Sequence, residues 1–295
     1  IDCLIKEARV NGVKLLSEFG VKDIEIRNDS KDRFLIKLRA GESLIADRIL
    51  IATGGNPNDD SYNWLKQLGH KILKPVPSLF TFNVPNSRLN GLQGLSVKNA
   101  IVKIAGSNFE EKGPLLITHW GFSGPCILRL SAWGARHLAD LNYQFNISIK
   151  WVPDYNEDML REFLIQFKEE NLKKLVVSNP LFEIPKRLWE RIATLSGIED
   201  DVRWLDLPKK SMNKLIEELL RGNFSVKGKT TFKEEFVTCG GVSLAEINFK
   251  TMESKLCPGL YFAGEVLDID GITGGFNFQA AWTTGYLAGK AMSIE

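Results

Sequence analysis

The chain has 295 residues, 44% of them hydrophobic and 25% charged, with 38 basic residues against 36 acidic ones and a net charge of +2. These values sit at the averages of soluble globular proteins and exclude disordered, collagen-like and membrane-protein compositions. The balance of charge supplies no global field toward nucleic acid or an anionic membrane, and no apolar run approaches the roughly 18 residues of a spanning helix.

The opening segment IDCLIKEARV predicts an amphipathic helix over about Ile1–Val10 and lacks the apolar stretch of a secretory signal, so the expected compartment is the cytoplasm. A first residue Ile1 in place of Met predicts a longer parent chain. Short strands are predicted over Val13–Leu16, Val21–Arg27, Arg33–Leu38 and Ser43–Ile51, the last three forming an antiparallel meander around the turn material NDSKD and AGE. The apolar run Ile49–Ala52 stops at Thr53-Gly54-Gly55, the pattern of an α/β ligand edge, and a short helix follows over Asp60–Leu68.

From Pro75 the character changes. Pro75, Pro77 and Pro85 punctuate strand-like segments at Ser78–Val84, Ala100–Ala105 and Leu115–His119, which predicts an inserted β-rich unit. A helix over about Pro125–Leu141 follows, with Ser123 as its cap and Pro125 at an early position, then a strand over Gln144–Val152. Helical patterns at Asp158–Lys174, Pro185–Leu195 and Lys209–Arg221 predict a small helical unit. Beyond Phe232 the chain is again strand-rich and glycine-rich, and it ends on one helix over about Phe276–Met292. Like composition at both ends predicts one α/β domain interrupted by a long insertion.

Two familiar signatures fail on spacing. Gly222 to Thr230, GNFSVKGKT, has five residues between its glycines where a phosphate-cradling P-loop needs four, and a preceding helix and following strand-like TFKEEFV are the wrong context. It reads as an exposed basic turn. Gly121-Phe122-Ser123-Gly124 carries Pro125 where a nucleophile elbow needs its last glycine. Cys3, Cys126, Cys239 and Cys257 form no close pair and read as reduced, mostly buried thiols; with three histidines and no HExxH, no metal site is expected. His119 beside Trp120 is open to two readings, an acid–base group or a packing residue. Lys209, Lys210, Lys214, Arg221, Lys227, Lys229 and Lys233 are interrupted by Glu217, Glu218, Glu234 and Glu235; they read as a solvated face, and nucleic-acid binding is disfavoured.

The segment from Pro258 to Gln279, PGLYFAGEVLDIDGITGGFNFQ, carries the most chemistry. A strand ends at Gly264, and Glu265 and Asp268 follow at an edge where carboxylates accept hydrogen bonds from sugar or ribitol hydroxyls. Gly274 and Gly275 permit close backbone approach, and a helix starting near Phe276 aims its N–H groups and positive end at the same spot. That suits a ligand that becomes anionic, of which reduced flavin is one. ATGG at Ala52–Gly55 and CGG at Cys239–Gly241 add two glycine turns beside apolar strands. The alternative is a set of loops whose glycines serve conformation alone.

Together, ATGG, THWGFSGP and YFAGEVLDIDGITGGFNFQAAWTTG resemble the BaiN-like flavoproteins, bacterial FAD-dependent oxidoreductases, from about Ile1 to the C-terminus. The resemblance implies an α/β fold: a Rossmann-like FAD-binding domain of the two-dinucleotide-binding type (1–76 and 234–295), interrupted by a β-barrel-like insertion (77–152 and 222–233) and a small helical insertion (153–221). It places Thr53, Gly54 and Gly55 near the ADP half of FAD, with Gly240 and Gly241 as a further glycine turn at the cofactor. Gly264, Glu265 and Asp268 fall near the pyrophosphate and ribitol, and Gly274, Gly275, Phe276 and Asn277 at the isoalloxazine. The insertion roofs the flavin and carries His119 as catalytic proton donor or orienting group on the substrate side.

Two departures stand out: the family's initial G-x-G-x-x-G unit is absent from this sequence, and NPNDDSYNWLKQLGH after Gly55 is shorter than the usual glycine-rich loop. The chain by itself is therefore expected to hold FAD weakly. The implied reaction is hydride transfer between NAD(P)H or an organic, small-molecule substrate and flavin, reduction of a conjugated C=C bond being the first choice. Flavin-dependent amine oxidation and a nucleic-acid-binding flavoprotein are the alternatives. Unpaired cysteines argue against a flavin-disulfide reductase, which passes electrons through a dithiol.

Overall fold

A computed structural model describes residues 1–27, 33–230 and 237–293. In chain order the elements begin with α1 (Asp2–Val10), β1 (Val21–Ile26), β2 (Phe34–Leu38), β3 (Ser43–Ala46), β4 (Ile49–Ile51), α2 (Asn63–Gln67), β5 (Ile72–Ser78) and β6 (Thr81–Asn83). They continue with β7 (Ser96–Ile104), β8 (Glu110–Ile117), β9 (Gly121–Ser123), α3 (Pro125–Trp133), α4 (Ala135–Asp140), β10 (Gln144–Lys150), α5 (Glu157–Glu170), α6 (Lys186–Leu195), α7 (Lys209–Arg221), β11 (Gly222–Lys227) and β12 (Lys229–Thr230). The last are β13 (Val237–Val242), β14 (Ile247–Asn248), β15 (Glu253–Ser254), β16 (Leu260–Phe262) and α8 (Phe276–Met292). The strand-like reading of Thr231–Phe236, with Lys233, Glu234 and Glu235, lies outside the described residues.

The chain divides into two units, the first made of the described parts of 1–74, 241–268 and 280–295. In it β1, β2 and β3 form an antiparallel sheet whose register pairs Ile24 with Ile36 and Phe34 with Ala46. A second sheet runs β14-β15-β16-β4. Its β16–β4 pair is parallel, matching Leu260, Tyr261 and Phe262 with Ile49, Leu50 and Ile51. Two short continuous apolar runs are what a parallel pair covered on both faces requires. His70 is buried: its Nδ1 lies 3.0 Å from Glu246 Oε2 and its Nε2 3.1 Å from Ser254 Oγ of β15. Ser254 Oγ accepts from the Leu256 and Cys257 N–H groups, so its own proton goes to Nε2 and the ring N–H to Glu246. The trio has the residue types of a hydrolase triad, yet Ser254 is 5% exposed and its oxygen is held by backbone, so it fastens the fold.

The second unit comprises the described parts of 75–240 and 269–279. Its sheet has the order β11-β10-β7-β8-β9-β6-β12, antiparallel at every pair. Alternation is clean: Phe145, Ile147 and Ile149 of β10 and Phe224 and Val226 of β11 point inward. The terminal strands β11 and β12 of that order are consecutive in the chain, joined through Gly228 at φ +104°. Helices α5, α6 and α7 place Leu160, Leu188, Trp189, Leu215 and Leu219 into the same core as Phe82, Val102 and Ile147. Each fully buried side chain of this size contributes roughly 1.5–3 kcal/mol by burial.

Several expected elements differ. Val13–Leu16 forms no strand: among the described residues it has no ladder partner, and Val13, Leu15 and Leu16 are all about half exposed. Ser43–Ile51 breaks at Asp47 and Arg48 into strands of two different sheets. Leu79, at φ +54°, separates β5 from β6. The single helix expected over Pro125–Leu141 is two, divided at Gly134. Pro125 does sit at the helix start, but Gly124 at φ +95° takes the cap position, while Ser123 belongs to β9 and pairs with Leu116.

Candidate functional site

In the first unit the parallel β4–β16 pair brings the carboxyl ends of two strands to one edge, and the Ala263 N–H donates to the Ile51 carbonyl at 2.9 Å. Thr53, Gly54 and Gly55 follow one strand and Gly264 and Glu265 the other, so residues over two hundred positions apart share that edge. Gly54 has φ +76° and open space where a side chain would project. Gly264, at φ +73°, donates its N–H to Thr284 Oγ1 of α8 at 2.9 Å. Gly241, at φ +130°, lies so close that a Cβ would overlap the Val266 carbonyl oxygen; beside it Val242 bridges Leu267 and accepts from the Asp268 N–H at 3.0 Å. Gly241 is thus needed for close backbone approach, which also places Asp268.

A cleft of about 860 Å³ opens here, lined by Thr53, Gly54, Asn56, Tyr62, Lys22 and Arg39. The role of Asn56–Asp60, left open by the sequence, is turn construction: Asn56 Oδ1 accepts from the Asn58 N–H and Asn58 Oδ1 from the Asp60 N–H. Tyr62 Oη accepts from the Asn56 N–H at 2.9 Å. Burial holds its phenol above the ordinary value; the Asn56 hydrogen bond opposes this and Glu265 adds to it. Lys22, Arg39 and Tyr62 were not legible as site residues, because they come from the meander and a helical turn that carry no motif.

In the second unit, the segment Asp270 to Asn277 is tied at both ends. Asp270 Oδ2 accepts from the buried Ser78 hydroxyl at 2.8 Å. Asn277 Oδ1 accepts from the Gly271 N–H at 2.7 Å, and its Nδ2 donates to the Gly271 carbonyl at 3.1 Å. Asn277, expected to face a ligand, therefore uses both ends of its amide to hold the loop. Gly274 and Gly275 have φ +121° and +88°, and Gly275 opens on empty space. The Gln279 N–H reaches the Gly275 carbonyl at 2.9 Å, so α8 starts directly after it and its leading N–H groups, with exposed Phe276, stand at the loop. Gly240, at φ +123°, is buried within β13.

Two cavities of this unit share no lining residue. One, of about 290 Å³, is lined by His119 with Trp120, Asn83, Asn86, Asn90 and Lys227, and both His119 and Trp120 are exposed. The other, of about 530 Å³, is lined by Asp270, Gly271 and Ile272 together with Arg136, His137 and Cys239. Of these two cavities, His119 lines the one without residues of the glycine loop and His137 the one with them. The basic stretch is dispersed: Lys209, Lys210 and Lys214 are exposed on α7, Arg221 pairs with Glu157 at 2.8 Å, and Lys229 lies 4.9 Å from the Tyr143 ring centroid. Among the described residues no cluster of three or more His, Cys, Asp or Glu is arranged to hold a metal, and no helix is long and apolar enough to cross a membrane.

The model of the HI0933-like protein Rossmann domain family matches residues 1–291. The chain belongs to that family. The BaiN-like resemblance points to the same place, and the mixed α/β architecture with its parallel pair agrees with a Rossmann-like domain. Among HI0933-like relatives, the ribosomal RNA dihydrouridine synthase of Haemophilus influenzae is 30% identical, the match covering 100% of this chain and 72% of the relative. That of Escherichia coli is 31% identical over 97% of this chain and 70% of the relative. The 3-dehydro-bile acid delta(4,6)-reductase of Clostridium scindens is 26% identical over 99% and 72%.

Proposed function

We propose that this protein is an FAD-dependent oxidoreductase that reduces a C=C bond conjugated to a carbonyl, with NAD(P)H as the source of the hydride. The observation that carries the reading is a pair of open glycine turns, one in each unit: Gly54 and Gly275 each leave empty the space a side chain would fill, one in a cleft with Lys22 and Arg39 and the other at a helix N-terminus. These residues fit a flavin nucleotide, with backbone approach and cations for its phosphates and a positive helix end for its ring. When bound, FAD supplies hydride transfer.

In this reading Thr53, Gly54 and Gly55 hold the ADP half, Glu265 and Asp268 accept from ribitol hydroxyls, and Gly264 and Gly241 keep the backbone close enough for them to do so. Gly274, Gly275 and Phe276 would border the isoalloxazine, Asn277 fixes that loop through Gly271, and the α8 N-terminus would stabilise negative charge at the N1/O2 end. The FAD-binding domain is 1–76 with 234–295. The seven-stranded sheet, returning on itself through Gly228, is the barrel-like insertion and 153–221 its helical companion.

The names of the relatives support the reaction class, since a dihydrouridine synthase and a delta(4,6)-reductase are both named for reduction of an unsaturated ring system. Two of the three are named for ribosomal RNA, which favours a uridine in RNA as a second, more specific reading of the substrate. Anaerobic mixing of the full-length protein with NADPH or NADH tests the class: bleaching of the flavin band supports it, and a band unchanged by both contradicts it. Dihydrouridine content of ribosomal RNA from a strain lacking the gene then separates the substrates, its loss pointing to RNA and its retention to a small molecule.

A further inference from the structure

We propose that the cavity of about 530 Å³ in the second unit binds a flat conjugated carbonyl compound, with His137 donating a hydrogen bond to its carbonyl oxygen. The inference rests on the flavin reading above and adds the place and the donor for the substrate. The three histidines separate by environment. His70 is enclosed between Glu246 and Ser254, and His119 is exposed in a cavity that no residue of the glycine loop lines. His137 is half-buried and lines the cavity that Asp270, Gly271 and Ile272 also line.

The fold aims His137 there for a reason visible in the helix. The break at Gly134 starts α4 afresh, and Ala135 and Leu138, 1% and 0% exposed, fix its buried face. Arg136, His137 and Asp140 fall within about 100° of one another on the other face, as positions i, i+1 and i+4 do in a helix. The His137 ring is supported by Phe109, centroids 5.6 Å apart at 36°. Two further lining residues are also held in place, Gly271 by Asn277 and Asp270 by Ser78. Trp133, Phe109 and Ile272 supply apolar surface beside the polar side chains of Arg136, His137 and Asp140, and apolar lining with a few polar groups is the make-up of a small-ligand site.

A uracil ring and an aliphatic enone share the planar conjugated carbonyl, and separate arms distinguish them. Uridine and cyclohex-2-enone are titrated into the full-length protein with labelled histidine, following the His137 ring resonances, while calorimetry gives affinities for wild type, His137→Gln and His119→Gln. The expected result is a shift of the His137 resonances by at least one probe and at least tenfold weaker binding in His137→Gln, with an unchanged flavin absorption spectrum. Weakening by His119→Gln instead, equal affinity of His137→Gln and wild type, or no binding of either probe overturns the proposal. Flavin loss is read separately from the absorption spectrum and bears on the flavin reading, since the resonance shift needs no turnover.

Discussion

Asn277 and Gly271 are six residues apart, and the amide of one is matched to the peptide of the other at 2.7 and 3.1 Å. Asn277→Ala removes both bonds, and about 1 kcal/mol of stability is expected to go with each. Native-state hydrogen exchange is expected to show faster exchange at the Gly271 amide, and flavin affinity should fall; exchange as slow as wild type would falsify the pinning role. Asn277→Asp keeps an acceptor for the Gly271 N–H but loses the donor, so its effect should be intermediate. The thiols make a second residue-scale prediction. Burial pushes Cys126 up to about 12 and raises Cys257, whereas Cys3 is exposed. Only the thiolate attacks, so a disulfide reagent at neutral pH should label Cys3 fast, and Cys126 and Cys257 only on unfolding. Rapid native labelling of Cys126 would contradict its placement.

Among the elements, those whose signal is local were legible. The apolar runs ending in glycine at Ile51 and Phe262 became the parallel pair, and α7 and α8 have the limits their periodicity predicts. What failed depended on distant partners. Val13–Leu16 has strand-like residues but no ladder partner among the described residues, and the break at Gly134 is invisible in a run that is helical on both sides. That break sets the start of α4, on which His137 lines one cavity with Asp270, Gly271 and Ile272, whereas His119 is the histidine that stands beside a motif in the sequence. The same limit hid Lys22 and Arg39, whose strands reach the cleft only through tertiary packing. Gly241 gives the element-scale test. In Gly241→Ala the new Cβ meets the Val266 carbonyl at a φ of +130°, so a destabilisation of about 3 kcal/mol is expected from strain and clash. Denaturant unfolding measures it, and a change below about 0.5 kcal/mol, as at an ordinary surface site, would refute the close approach of β13 to Val266.

At the scale of the whole molecule, the chain belongs to the HI0933-like family, and each of its two units carries a glycine-rich turn of its own. The Rossmann-like character was legible because glycine turns after apolar strands are a local pattern; the division of the remaining chain was less so, since the helices α5 to α7 and the seven-stranded sheet share a single core. The central claim is that the glycine edges hold a flavin, and the absorption spectrum of purified full-length protein tests it most directly, compared with Gly275→Val at the start of α8. The wild-type protein is expected to show the two-banded spectrum of oxidised flavin near one equivalent per chain, and the variant to lose it or hold it markedly more weakly. A colourless full-length protein that takes up no added FAD, or a variant that holds FAD as tightly as wild type, would contradict it.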